Sequence, residues 1–102
     1  MKWLVDTGCT TTIVSTRKFE AIPEDNRPEV EKYDRPLVST DDTPLRVAAQ
    51  TVLNIQLGNR TVRHRVIIAE ISNEGLIGID FLVQHKVTLD FGQRESYITG
   101  KA

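Results

Sequence analysis

From Leu45 to Ala69 the chain follows a period of two, interrupted once near its middle. Leu53, Ile55 and Leu57 alternate with Val52, Asn54 and Gln56. Val62, His64, Val66 and Ile68 alternate with Thr61, Arg63, Arg65 and Ile67. Successive side chains on an extended chain point to opposite faces, so this spacing predicts two half-buried strands. Gly58-Asn59, between them, suits a two-residue turn that needs positive φ. Residues 45–57 and 60–69 are therefore expected to form a long hairpin. An isolated hairpin is marginal in water, so the remaining segments must supply further strands against it.

Those segments carry the right signals. Met1 to Val5 is short and apolar, and Thr11-Thr12-Ile13-Val14-Ser15 is β-branched, which favours a pleated strand. Residues 16–35 are polar, contain Pro23 and Pro28, and read as a surface connection with a helical turn around Lys18–Ala21. Pro36 to Ser39 reads as a strand, and Thr40-Asp41-Asp42-Thr43-Pro44 as the reversal that leads into Leu45. Leu76-Ile77-Gly78 is a short apolar run, and Asp80 is placed to cap a short helix over Phe81–His85. Val87–Phe91 alternates again, Gly92-Gln93 turns the chain, and Ser96–Thr99 reads as a closing strand. The expected architecture is one mostly-β domain over residues 1–102 with one short helix.

Composition narrows the function. At 102 residues the chain has room for one core, and a domain this small is marginal alone, a difficulty that a dimer relieves. A net charge of -1 supplies no basic field, so no nucleic-acid partner is expected. No apolar run approaches the roughly 20 residues of a membrane span, and Met1-Lys2-Trp3-Leu4-Val5 is too short for a signal peptide. One cysteine, Cys9, leaves no intrachain disulfide and no zinc cage of several thiolates, and fits a reducing compartment. No metal or cofactor is expected. His64 and His85 are the only histidines that Cys9 could use as a base. Neither stands in a recognisable nucleophile context, and Cys9 reads as a small packed thiol. Arg60, Arg63 and Arg65 read as a solvated face, and Trp3 as a core or interface aromatic.

Asp6-Thr7-Gly8 is the candidate for chemistry. The tripeptide alone is common. Here an apolar strand precedes it, a small residue and a hydroxyl-rich strand follow it, and Gly75-Leu76-Ile77-Gly78-Ile79-Asp80-Phe81-Leu82 comes some seventy residues on. Together, Leu4-Val5-Asp6-Thr7-Gly8-Cys9 and the Leu76-Ile77-Gly78 run resemble the retropepsins, the aspartic proteases of retroviruses and retrotransposons, with the gypsy-type proteases as the nearest resemblance. It extends from Trp3 to about Ile98.

This resemblance implies a retropepsin-like closed β-barrel, the acid protease fold, with a short C-terminal helix and an active site on a two-fold axis. It implies an aspartic endopeptidase that cleaves a retroelement polyprotein, in the cytoplasm or within retroelement particles. Asp6 would be catalytic, with Thr7 bracing the loops across the axis and Gly8 and Thr10 supporting the carboxylate. One Asp-Thr-Gly per chain would require a homodimer, because the chemistry uses two carboxylates that share one proton. Thr40, Asp41, Asp42 and Thr43 would form the tip of a flap over an extended polypeptide substrate. Val14, Leu37, Leu45, Leu76 and Ile77 would line apolar pockets. Relatives carry a further strand before the catalytic loop, but only five residues precede Asp6 here. The chain is thus expected to be truncated, naturally processed, or dimeric through other elements, and to dimerise more weakly than a full-length relative. A retropepsin-like module kept for binding or dimerisation without catalysis is the alternative.

Overall fold

The computed structural model describes residues 2–35, 44–57, 60–87 and 96–99, with 57 and 96–99 described by their backbone alone. The flap residues Thr40, Asp41, Asp42 and Thr43 lie outside the described residues. So do the strand expected at Pro36–Ser39 with Leu37, the turn Gly58-Asn59, the strand expected beyond Val87, and Gly92-Gln93.

The strands are β1 (Lys2–Val5), β2 (Ile13–Ser15), β3 (Val30–Glu31), β4 (Val47–Leu57), β5 (Arg60–Ala69), β6 (Gly75–Ile77) and β7 (Ser96–Thr99). The helices are α1 (Thr16–Glu20) and α2 (Ile79–Gln84). The long hairpin is present: β4 and β5 pair antiparallel from Leu57↔Arg60 to Val47↔Ala69, with one register shift between Val47 and Ala49. The segment read as irregular, 16–35, contains more structure than expected. Ser15 caps α1 by accepting a hydrogen bond from the Lys18 amide (3.2 Å), and Phe19 is buried from the helix. A 3-10 turn follows at Glu24–Asn26, and β3 pairs with β4.

The sheet order is β3-β4-β5-β2-β6-β1-β7. Its centre determines the position of the Asp6 loop. Strand β6 lies between β1, to which it is parallel, and β2, to which it is antiparallel. The connection from β1 to β2 must therefore cross the C-terminal end of β6, where Ile77 and Gly78 lead into α2. On its other side β1 pairs antiparallel with β7.

Two apolar clusters occupy the two faces of this centre. Trp3, Val14, Phe19, Leu53, Ile55, Val66, Ile68, Ile77, Phe81 and Leu82 form the larger one. Ile13, Ile67 and Ala69 form the second, with Cys9, Tyr33, Leu45, Val47, Ile71 and Leu76 packed against them. Alternation explains the split, since Ile13 and Val14, Ile67 and Ile68, and Leu76 and Ile77 face opposite ways. The C-terminal half of β5 is thus buried on both faces, rather than on one as its alternation suggests. Trp3 is wholly buried opposite Gly75, where an added Cβ would stand 2.6 Å from Cζ3 of the indole.

Candidate active site

The loop Asp6–Thr12 is held at both ends by backbone bonds. The Asp6 amide donates to the Ile77 carbonyl (3.0 Å), continuing the β1–β6 pairing into the loop. The chain then turns: the Cys9 amide donates to the Asp6 carbonyl (3.1 Å), and the Gly8 amide donates to Asp6 Oδ1 (3.0 Å). An aspartate accepting from an amide two residues on is a natural turn former, which is why Asp-Thr-Gly folds locally this way. On the far side the Ile79 amide donates to the Cys9 carbonyl (2.9 Å) and the Asp80 amide to the Thr10 carbonyl (3.3 Å). The first turn of α2 thus binds the exit of the loop. Asp6 is half-buried, and Thr7, Gly8 and Thr10 are exposed at the crest.

Gly78 is where loop and helix meet. A Cβ built there would lie 2.7 Å from the Thr11 carbonyl carbon and 2.8 Å from its nitrogen and oxygen. Backbone against backbone leaves no side chain to move aside, so this close approach requires glycine.

Beneath the crest runs a chain of polar side chains. Thr12 is wholly buried. Its hydroxyl donates to Asp80 Oδ1 (2.7 Å) and accepts from the Gly78 amide (3.1 Å). Asp80 Oδ1 also accepts from the Phe81 amide (2.7 Å), while Oδ2 faces His64 Nε2 at 3.1 Å. His64 is 4% exposed, and its Nδ1 faces His85 Nε2 at 3.0 Å. The two imidazoles pack edge-on and tilted against Phe81, at 5.0 and 4.5 Å between ring centres. Burial pushes the Asp80 carboxyl up, but bonds from His64, Thr12 and the Phe81 amide outweigh it and hold the group below its ordinary range. His85 is pushed down by burial and by the positive charge that His64 and Arg60 can present. Burial raises the Cys9 thiol, with the charges of Asp6 and Asp80 adding to it; its Sγ donates to the Thr11 carbonyl at 2.9 Å.

Several expectations change in this setting. Helix α2 begins at Ile79 and Gly78 is its N-cap, so Asp80 is not the cap but a first-turn residue. Its carboxylate is taken up by Thr12 and His64. Val14 and Ile77, expected to line pockets, are 1% and 0% exposed inside the larger cluster, because the phase of their strands turns them inward. Leu45 and Leu76 stay partly buried, each packed against the second cluster, as Cys9 is. Thr10 contributes its carbonyl to the loop's footing. Sequence reasoning missed Thr12, and it gave His64 no role. One signal was available: His64 occupies the inward phase of an otherwise apolar alternation, where a polar residue requires a buried partner. Among the described residues no cluster of His, Cys, Asp and Glu is arranged to hold a metal, and no helix is long and apolar enough to cross a membrane.

Comparison with known proteins bears on the family and the fold. The pattern of the family described as gag-polyprotein putative aspartyl protease matches residues 1–84. Among solved structures, the EIAV protease complexed with the inhibitor HBY-793 is similar, with a TM-score of 0.67 at 18% identity over 85% of this chain and 78% of that one. Identity that low speaks for a shared fold: mostly β, with a short helix near the C-terminus.

Proposed function

Because this chain belongs to the gag-polyprotein aspartyl protease family, we propose that it is an aspartic endopeptidase. It works as a homodimer, each chain contributing Asp6, and cleaves a retroelement polyprotein. The observation that carries this reading is the Asp6-Thr7-Gly8 turn. It sits at an exposed crest, with its backbone bound to β6 on one side and to α2 on the other.

Water is a poor nucleophile, and an amide nitrogen is a poor leaving group until it is protonated. Two adjacent carboxylates meet both needs, because like charges that close retain one proton between them. The ionised Asp6 removes a proton from water as its oxygen attacks the scissile carbonyl carbon. The protonated Asp6 of the second copy donates to the carbonyl oxygen. The tetrahedral intermediate, a diol, collapses as the C–N bond breaks: one carboxyl passes its proton to the departing nitrogen, and the other carboxylate takes a proton from a diol hydroxyl as the new C=O forms, which restores the singly protonated pair. The pair's titration belongs to both groups together. A two-fold axis at the crest is the simplest source of the second carboxylate. Exposed Thr7 is then positioned to meet its counterpart, and the partly buried Leu45 and Leu76, on the face of the second cluster, offer apolar lining for substrate side chains.

The test is cleavage of an unstructured polypeptide assayed between about pH 4 and pH 7, since a pair that must share one proton gives a bell-shaped profile. Cleavage should be blocked by a statine-type inhibitor and lost in Asp6→Asn, with dimerisation checked by sedimentation. Cleavage that survives Asp6→Asn refutes the assignment. A verified dimer that cleaves nothing supports a binding module instead.

A further inference from the structure

The polar chain under the Asp6 loop is more than a satisfied core. It contains two histidines in direct contact, one of them buried, and its hydrogen bonds can be counted. Asp80, held ionised, is an acceptor only, so His64 Nε2 must carry hydrogen. In a neutral His64 the other nitrogen, Nδ1, is then bare and must accept from His85 Nε2–H. One added proton leaves a single hydrogen between the two rings, whichever ring formally carries the charge, and that charge is balanced by Asp80. A second proton places hydrogen on both facing nitrogens, 3.0 Å apart. The bond is then lost and two cations oppose each other, with Arg60 adding to the repulsion. His85 caps the C-terminal end of α2 and is less buried than His64, so it is the ring that leaves.

This chain is tied to the loop by several bonds. Thr12 holds the Gly78 amide, Ile77 holds Asp6, and the Ile79 and Asp80 amides hold Cys9 and Thr10. A tilt of α2 therefore pulls on the exit of the Asp6 turn while β6 holds its entry, so the turn is distorted between the two. We propose that Thr12, Asp80 and His64 are positioning residues for the Asp6 loop, and that the His64–His85 pair stores one shared proton against Asp80, so that the footing of the loop holds through the first protonation and loosens at the second. The groups that face the pair are Asp80 on α2 and Arg60 on β5, with the Phe81 ring packed against both imidazoles and the Cys9 thiol near Asp80. The positioning role rests on the protease reading; the shared proton does not.

The test is long-range nitrogen–proton NMR of the imidazoles through a pH titration, alongside kinetics on the same samples. In the unsubstituted protein at neutral pH, His64 should be the Nε2–H tautomer, and both rings should shift together in two linked steps. Asp80→Asn should invert that tautomer, because the introduced amide accepts from Thr12 through oxygen and donates to His64 Nε2 through nitrogen. His85→Gln should leave the tautomer in place and reduce the titration of His64 to one step. Asp80→Asn and His64→Gln should lower kcat about 10- to 100-fold with KM within about twofold, the mark of a misplaced catalytic group rather than lost binding. Independent titration of the two rings, or a His64 tautomer indifferent to Asp80→Asn, would overturn the shared proton. A rise in KM at constant kcat would overturn the positioning role. If Asp80→Asn does not fold, His85→Gln and the unsubstituted titration still decide the shared proton, and His64→Gln the positioning role. A chain that cleaves nothing defeats the protease reading and the positioning role with it, while the spectra still judge the shared proton.

Discussion

Gly78→Ala is the sharpest test of how the loop is seated. The backbone at Gly78 has φ -91° and ψ 178°, which alanine adopts freely, so any penalty is steric. The new methyl would stand 2.7–2.8 Å from three backbone atoms of Thr11. Carbon contacts are most favourable at about 3.5–4.0 Å, so loop and helix must separate by roughly 0.7–1.3 Å. Overpacking of this kind costs about 1–3 kcal/mol. The separation also stretches the bonds across the seam, from the Gly78, Ile79 and Asp80 amides to Thr12, Cys9 and Thr10, each contributing about 1 kcal/mol. Restricting the unfolded chain by replacing glycine returns about 0.4–1 kcal/mol. The net loss is about 2–4 kcal/mol. In a domain of 102 residues that lowers Tm by about 10–25 °C. Urea and thermal unfolding should be compared at one fixed protein concentration, since association shifts apparent stability. Val83→Ala, at a position 72% exposed, serves as the control and should stay within about 0.5 kcal/mol. A Gly78→Ala protein within that same margin would refute the close-approach argument.

Three further outcomes follow from the same geometry. Thr12→Val keeps the shape but removes the hydroxyl, leaving the Gly78 amide and Asp80 Oδ1 each short of a partner; unfolding free energy should fall by about 2–3 kcal/mol, against about 1 kcal/mol for Thr12→Ser. Asp80 has a folded-state pKa below its ordinary 3.8, so its stabilisation is present above that value and lost as pH falls through the folded-state pKa. His85, lowered from 6.5, resists charging in the folded state, so stability should begin to decline as pH drops below 6.5. Urea unfolding across pH should show both limbs, with the first flattened in His85→Gln and the second in Asp80→Asn; limbs unchanged by these substitutions count against the assignments. The Cys9 thiol, raised by burial and by the charges of Asp6 and Asp80, should react with iodoacetamide more slowly in the folded than in the urea-unfolded chain, and equal rates would contradict its packing.

Much of this protein is legible in its sequence, because the informative patterns are local. The period of two between residues 45 and 69 specifies the hairpin without reference to anything else in the chain. Asp6-Thr7-Gly8 folds its own turn, through the bond from the Gly8 amide to the Asp6 carboxylate. The two motifs flanking that hairpin were enough to suggest the family. Periodicity reports that neighbouring residues face opposite ways, but not which way is inward. Val14 and Ile77 were therefore expected at the surface of a pocket and are found in the core, while Leu76, one residue from Ile77, packs on the other face. The roles of Asp80, His64 and Thr12 depend on pairings that no local rule contains. Thr12 and Asp80 are 68 residues apart, and they meet because β6 lies between β1 and β2 and delivers the start of α2 beneath the loop. Sequence alone determined the strands and the turn that carries Asp6. Only the tertiary structure decided what that turn rests on, because a buried polar group is defined by its partners, and these come from opposite ends of the chain.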